Sequence, residues 1–227
     1  MKPKITIITP VYNGEKFLEQ SIKSIVNQDY SNFEYIIVDG DSKDNTHKII
    51  NKYKNKISKV IIGKDKTMYE ALRKGFKIAS GDYFCWINSD DYLIDKYSVS
   101  RIAKAIDRYN YNWFNCNIAI SVFNEKPKIY FPLCYPQMII RAGLANNCFW
   151  GFIQQENTIF SRKLYEKVGG INANFKMAGD YDLWKRFSRY EKLHPLRIDF
   201  ACHRKSNIQL TNLDYYYKEI NKKKMFN

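Results

Sequence analysis

The chain has 227 residues, 45% of them hydrophobic, with 37 Lys and Arg against 23 Asp and Glu for a formal charge of +14. That length suits one substantial core, and two full domains would be cramped in it. The charge invites a polyanionic partner, whether nucleic acid, an anionic membrane surface or a diphosphate, and by itself does not choose among them.

The first hundred residues alternate two periodicities. Ile5–Ile8 is a short β-branched run, and Glu15 to Gln28 then places Phe17, Leu18, Ile22, Ile25 and Val26 at helical spacing. Tyr35–Val38 reads as a second buried strand, stopped by Asp39-Gly40-Asp41-Ser42. The next segment, Asn45 to Tyr53, carries Ile49, Ile50 and Tyr53 on one face. Val60–Ile62 ends at Gly63, and Met68 to Ala79 aligns Tyr69, Leu72, Phe76 and Ala79 before Gly81. Tyr83–Ile87 runs into Asn88-Ser89-Asp90-Asp91, and a helical pattern follows from Asp95 to Tyr109. Four strands alternating with helices predict an α/β fold with a doubly wound, mostly parallel sheet. Beyond Trp113 the pattern is less regular. It predicts a strand at 116–123, a loop over 127–136, a strand at 157–160, a helix over 162–168, a helix beginning near Gly179, and a tyrosine- and lysine-rich tail from 212 to 227.

Five widely spaced cysteines (Cys85, Cys116, Cys134, Cys148, Cys202) with no CxxC pair argue for reduced, buried thiols. The N-terminus lacks an apolar signal stretch, and no run reaches the roughly 18 apolar residues of a span, so a cytoplasmic protein is expected.

Ligands of open parallel sheets bind beyond the carboxyl ends of the strands. Here the polar clusters Thr9–Asn13, Asp39–Ser42, Lys64–Lys66 and Asn88–Asp91 all follow strands. Asp90-Asp91 closing a hydrophobic strand suits a hard cation, magnesium or manganese, that would neutralise a departing diphosphate; it equally suits a helix cap. Asp39 at a loop mouth can accept from a base N–H, and Tyr12 can stack on the base. Asp180 and Asp182, two apart, do not share a helix face; one can cap the helix while the other faces the cleft as a general base, with Asp180 nearer the loop.

Three segments, ITIITPVYNGEKFLEQSIKSIVNQDYSNFEYIIVDGDSKDNT, DKTMYEALRKGFKIASGDYFCWINSDDYL and QQENTIFSRKLYEKVGGINANFKMAGDYDLWKRF, cover most of residues 4–187. In that order they resemble the family 2 glycosyltransferases, inverting enzymes of the GT-A fold that serve polysaccharide and O-antigen synthesis. The resemblance implies one GT-A domain over 1–211, with a nucleotide-sugar half (1–110) and an acceptor half (111–211). It implies that Thr9, Pro10, Tyr12 and Asp39 hold the base, usually uracil. Lys66, Tyr69, Arg73, Asn88 and Ser89 would lie along the diphosphate and donor sugar, and Trp150, Gln155 and Glu156 on the acceptor side. Asp90, Asp91 and His203 would serve a manganese or magnesium ion, and Asp180 would be the catalytic base. Asn88 replaces the first acid of the family's DxD pattern, Thr67 stands where glycine is expected, and Arg73 where asparagine is expected.

The implied partners are a UDP-sugar donor and a glycan or lipid-linked acceptor. A basic nucleic-acid binder is the rival that charge raises, yet no nucleic-acid motif is present. A catalytically dead sugar-nucleotide binder is opposed by Asp39, Asp90 and Asp180, and a nucleotidyltransferase by the missing Gly-rich loop. The tail LDYYYKEINKKKMF has the composition of a peripheral membrane contact or of a solvated end helix.

Overall fold

The computed structural model describes residues 2–122, 126–146, 151–205 and 213–224, with side chains described to residue 221 in the last segment. In chain order the first part runs β1 (Ile5–Val11), α1 (Leu18–Val26), β2 (Phe33–Asp39), α2 (Thr46–Lys52), β3 (Lys59–Ile62), α3 (Met68–Ile78), β4 (Tyr83–Trp86), β5 (Tyr92–Leu93) and α4 (Ser98–Tyr109). The second part runs β6 (Trp113–Asn115), β7 (Ile118–Val122), β8 (Lys128–Tyr130), α5 (Gln137–Arg141), β9 (Thr158–Ser161), α6 (Arg162–Lys167), α7 (Gly179–Phe187), β10 (His194–Pro195), β11 (Ala201–Lys205) and α8 (Leu213–Lys224).

A seven-stranded sheet of order β10-β6-β9-β4-β1-β2-β3 forms the centre. Its β4-β1-β2-β3 portion is parallel, and β9 joins antiparallel to both β4 and β6. Both faces are covered, as parallel strands require, and the alternation of side chains divides the core. Ile8, Ile36 and Val38 pack with α3, α5, α6, α7 and α8, whereas Ile7, Tyr35 and Ile37 pack with α1, α2 and α4. The chain leaves β1 for β2 on one side and later places β4 on the other, so the strand order reverses at β1 and opens a crevice beyond its carboxyl end. A second sheet, β5-β11-β7-β8, stands beside that crevice.

The expected α/β architecture with a large, helix-flanked central sheet is present, with local departures. The strand expected at 116–123 is present as β7, and a further short strand, β6, precedes it. The loop expected over 127–136 contains β8, which is fully exposed at a sheet edge between Pro127 and Pro132 and so shows no alternation of burial. Cys134 is exposed, not buried, while Cys85, Cys116 and Cys202 are buried; Cys148 lies outside the described residues. The tail contributes a docked helix: Tyr216 and Ile220 of α8 are each 5% exposed and belong to the core. No helix among the described residues is long and apolar enough to cross a membrane.

Candidate active site

Beyond β1 and β2, two loops are stitched together. The Gly40 N–H donates to the Val11 carbonyl (2.9 Å), the Asn13 N–H to Ser42 Oγ (2.8 Å), the Gly14 N–H to Thr46 Oγ1 (2.9 Å) and the Lys43 N–H to Asn13 Oδ1 (2.8 Å). Asn13 and Asp41 take left-handed φ values of 50° and 69°, which Asn and Asp tolerate better than other side chains. Asn13, Glu15, Lys16, Lys43 and Asp44 line an open cavity of about 480 Å³ at this wall.

The four residues expected to hold a base meet different fates here. β1 runs three residues further than its β-branched run, so Thr9 and Pro10 lie in the parallel ladder opposite Ile37 and Val38, with buried side chains. The Thr9 hydroxyl accepts from the Tyr35 hydroxyl (3.1 Å), so the loop placement of Thr9 and Pro10 is corrected. Tyr12 is 63% exposed at the mouth. Asp39 is fully buried and both its oxygens are engaged: Oδ1 accepts from Ser42 N–H (3.2 Å) and Oγ (2.5 Å), and Oδ2 pairs with His47 Nε2. His47 escaped the sequence reading, since nothing in an eight-residue separation across a loop marks the contact.

The second cluster is built differently. After β4 a turn closes with the Asp91 N–H donating to the Asn88 carbonyl (3.1 Å), turning Asp91 inward to 1% exposure. Asp91 Oδ1 accepts from the Arg204 N–H of β11 (2.9 Å) and lies 3.4 Å from His203 Nδ1. A 3₁₀ turn over Gln155–Asn157 delivers Glu156, also 1% exposed, to the same place. One oxygen each of Asp91 and Glu156 and one nitrogen of His203 lie within 4.8 Å of one another. Asp91 Oδ2, Glu156 Oε1, Asn88 Oδ1 and Gln155 Oε1 are buried without a hydrogen-bond partner among the described residues. Orphaned carboxylate oxygens beside an imidazole are what a divalent cation satisfies, so these residues fit manganese or magnesium.

The electrostatics agree with that fit. Burial, and then the neighbouring Asp91, push the Asp90 carboxyl up to about 6. Burial pushes Glu156 up to about 7 against the pull of His203. Burial alone would lower His203, but its hydrogen bond to Asp91 and the charges of Glu156, Asp91 and Asp90 raise it to about 9. The three carboxyls thus hold His203 as a cation beside Arg204, and a metal ion there would take the place of the imidazolium proton. The sequence reading put Glu156 on the acceptor side; the structure seats it with Asp91 and His203. Asp90 supplies its carbonyl to Arg204 Nε (2.8 Å). Arg204, overlooked in sequence, is 1% exposed, reaches Gln20 Oε1 at 2.6 Å and lies over the rings of Phe17 and Tyr92.

Asp180 sits at the start of α7, one turn before Trp184, which stacks on Trp86 and Trp113 at 5.7 and 5.8 Å in the core. The i, i+4 spacing puts Asp180 and Trp184 on one side of α7. The Tyr69 hydroxyl is shared between the Met177 carbonyl (2.9 Å) and Asp180 Oδ1 (3.1 Å). Burial pushes Asp180 up to about 6, although hydrogen bonds from the Tyr181 N–H and Tyr69 hold it down. Gly179 is required because a Cβ there would lie 2.8 Å from the Tyr69 ring. Asp182 points elsewhere and pairs with Arg186 (2.7 Å). The N-cap position of the helix is Ala178, so neither aspartate occupies it. The loop before it is held by Glu219 of α8, whose carboxylate accepts from the N–H groups of Lys176, Met177 and Ala178 at 2.7, 2.9 and 2.9 Å. The charge of Asp180 also raises Glu156, so Asp180 and the cluster share one field.

The remaining expected residues are dispersed. Tyr69, expected along the donor, is 2% exposed and its hydroxyl contacts Asp180. Lys66 is exposed, and its N–H donates to Glu70 Oε2 (2.9 Å). Thr67, in the place of the expected glycine, caps α3 by accepting from the Glu70 N–H (3.1 Å). Arg73 is exposed and lines a groove of about 400 Å³ with Gly169 to Asn174, Asp182 and Arg186. Ser89 lies beside Gly14, linking the two loop systems. Trp150 falls outside the described residues.

Comparison with known proteins follows the same lines. The model of the family described as "Glycosyl transferase family 2" matches residues 6–169. An uncharacterized glycosyltransferase of Rickettsia prowazekii is 27% identical over 226 residues, covering 94% of this chain and 69% of that protein. An Escherichia coli UDP-Glc:alpha-D-GlcNAc-diphosphoundecaprenol beta-1,3-glucosyltransferase is 25% identical, covering 95% of this chain and 82% of its own. Staphylococcus aureus TarS 1–349 in complex with UDP-GlcNAc superposes with a TM-score of 0.76 at 20% identity, over 95% of this chain and 64% of that one. The chain therefore spans less than two thirds of that solved structure.

Proposed function

Since this chain belongs to the family 2 glycosyltransferases, we propose that it moves a sugar from a UDP-linked hexose or N-acetylhexosamine to a hydroxyl of a glycan or lipid-linked acceptor, inverting the anomeric centre. Residues 1–110 bind the donor and 111–211 supply the base and the acceptor side. The observation that carries this reading is a carboxyl raised to about 6, Asp180, in electrostatic contact with the unsatisfied Asp91–Glu156–His203 cluster. The UDP-GlcNAc bound to TarS and the undecaprenyl diphosphate in the name of the E. coli relative support the choice of donor and acceptor classes.

Tyr12 and the stitched 12–15 and 40–46 loops form a wall for the base, with Asp39 behind it and Asn13 at its edge. The diphosphate lies toward Asp91, Glu156 and His203, with Asp90 adjoining. A divalent cation held by these residues would act as a Lewis acid and offset charge on the leaving diphosphate. Asp180 accepts the acceptor hydroxyl proton as that oxygen bonds to the anomeric carbon and the carbon–diphosphate bond breaks. A carboxyl raised to about 6 is deprotonated at neutral pH and remains a better base than an ordinary aspartate. Tyr69 keeps the carboxylate aimed.

Replacement Asp180→Asn should cut transfer about 10²–10⁴-fold while a thermal-shift titration with UDP-sugars and manganese still reports donor binding. Unchanged turnover would sink the assignment of the base, and absence of any nucleotide-sugar shift in the native chain would sink the donor class.

A further inference from the structure

Five of the fourteen exposed large hydrophobic side chains among the described residues crowd into one short segment: Ile129 (45%), Tyr130 (52%), Phe131 (66%), Leu133 (44%) and Met138 (81%). The segment comprises β8, the edge strand of the smaller sheet, and the connection into α5. The charged side chains of residues 126–141 are all cations. Lys126, Lys128 and Arg141 are exposed, and Arg197 holds its guanidinium 4.4 Å from the centre of the Phe131 ring. No Asp or Glu occurs from Lys126 through Gln155, although the chain carries 23 in all.

Exposed aromatic and thioether groups ringed by cations match the headgroup layer of an anionic bilayer, where apolar tips sink and long basic side chains meet lipid phosphates. A second copy of the chain fits less well, because a two-fold contact would set these cations against one another. β8 itself is too short and too closely bracketed by prolines to pair with a foreign strand. The C-terminal helix, whose composition also fits lipid, turns Tyr216 and Ile220 into the core and engages Glu219 with backbone.

We propose that the face formed by residues 126–141 together with Arg197 docks this protein on an anionic lipid surface. The face belongs to the same sheet as His203, two strands away through β7, so docking places the crevice near the bilayer. The proposal is independent of donor and acceptor identity.

The test is co-sedimentation of the full chain with vesicles of equal parts phosphatidylglycerol and phosphatidylcholine, set against phosphatidylcholine alone. The native chain should sediment with the anionic vesicles. Phe131→Ser with Met138→Ser should weaken partitioning about tenfold or more. Lys126→Gln, Lys128→Gln and Arg141→Gln together should weaken it by about fivefold per cation, on anionic vesicles only. Leu213→Ser with Tyr215→Ser, on the exposed side of α8, should change nothing. All are surface changes, and matching thermal melts verify folding. The proposal is overturned if the native chain ignores anionic vesicles or binds neutral ones equally. It is likewise overturned if only the α8 variant loses binding, or if the Phe131/Met138 change dissolves a dimer in ultracentrifugation without altering sedimentation with vesicles.

Discussion

The wall beyond β1 and β2 and the cluster beyond β4 are both polar, but they differ in how their groups are satisfied. In the wall, both oxygens of Asp39 are engaged by Ser42 and His47, and the loop amides find partners across the gap. In the cluster, Asp91 and Glu156 each keep a buried oxygen with no partner among the described residues, and burial raises Glu156 and Asp90. A saturated network holds a shape, whereas an unsaturated one holds charge for a ligand to settle. The first therefore suits recognition of a base and the second a cation with a diphosphate.

The comparison can be broken most decisively at Asp91. Asp91→Asn should lower transfer on the order of 10²-fold or more and remove the response of donor binding to manganese; activity indifferent to both the substitution and EDTA would dissolve the distinction. Because Asp39 is internally saturated, Asp39→Asn should act mainly on stability. A loss of about 1–3 kcal/mol is expected in denaturant melts, with a smaller rise in donor KM and little change in kcat; a collapse of kcat with normal stability would move Asp39 out of the wall. The smallest effect is expected at Tyr69. Transfer should fall as pH drops through about 6, where Asp180 becomes protonated. The Tyr69 hydrogen bond favours the charged carboxylate, so Tyr69→Phe should shift that acidic limb upward. An unmoved limb would mean that Tyr69 only fills space.

How much of this was legible in the sequence follows from how each part is stabilised. The parallel strands β1, β2 and β4 are buried on both faces and hence read as β-branched or aromatic runs, the partly buried edge strand β3 is a β-branched run as well, and their helices carry apolar stripes. Strands β5, β6 and β10 have two or three residues each and owe their existence to neighbours, leaving no periodic trace. Pro10 disguised the end of β1, since proline is uncommon in a paired strand; it is accommodated beyond the last β1–β4 pair, Ile8 with Trp86, where β1 has one neighbour. Asp91 and Asp180 stand out in the sequence because each lies at an element boundary that resembles a familiar pattern. The contacts of Glu156 and His47 leave no trace in the sequence, since only tertiary folding brings Glu156 to Asp91 and His47 to Asp39.

The hold of Glu219 on the amides of residues 176–178 bears on where a working unit ends. A protein engineer trimming to residue 211 would keep the central strands and Asp180 yet remove the carboxylate that ties down the segment before it. Such a fragment could fold and still position its base poorly. In minimal designs, chimeras and fusions built from this chain, α8 counts as part of the machinery.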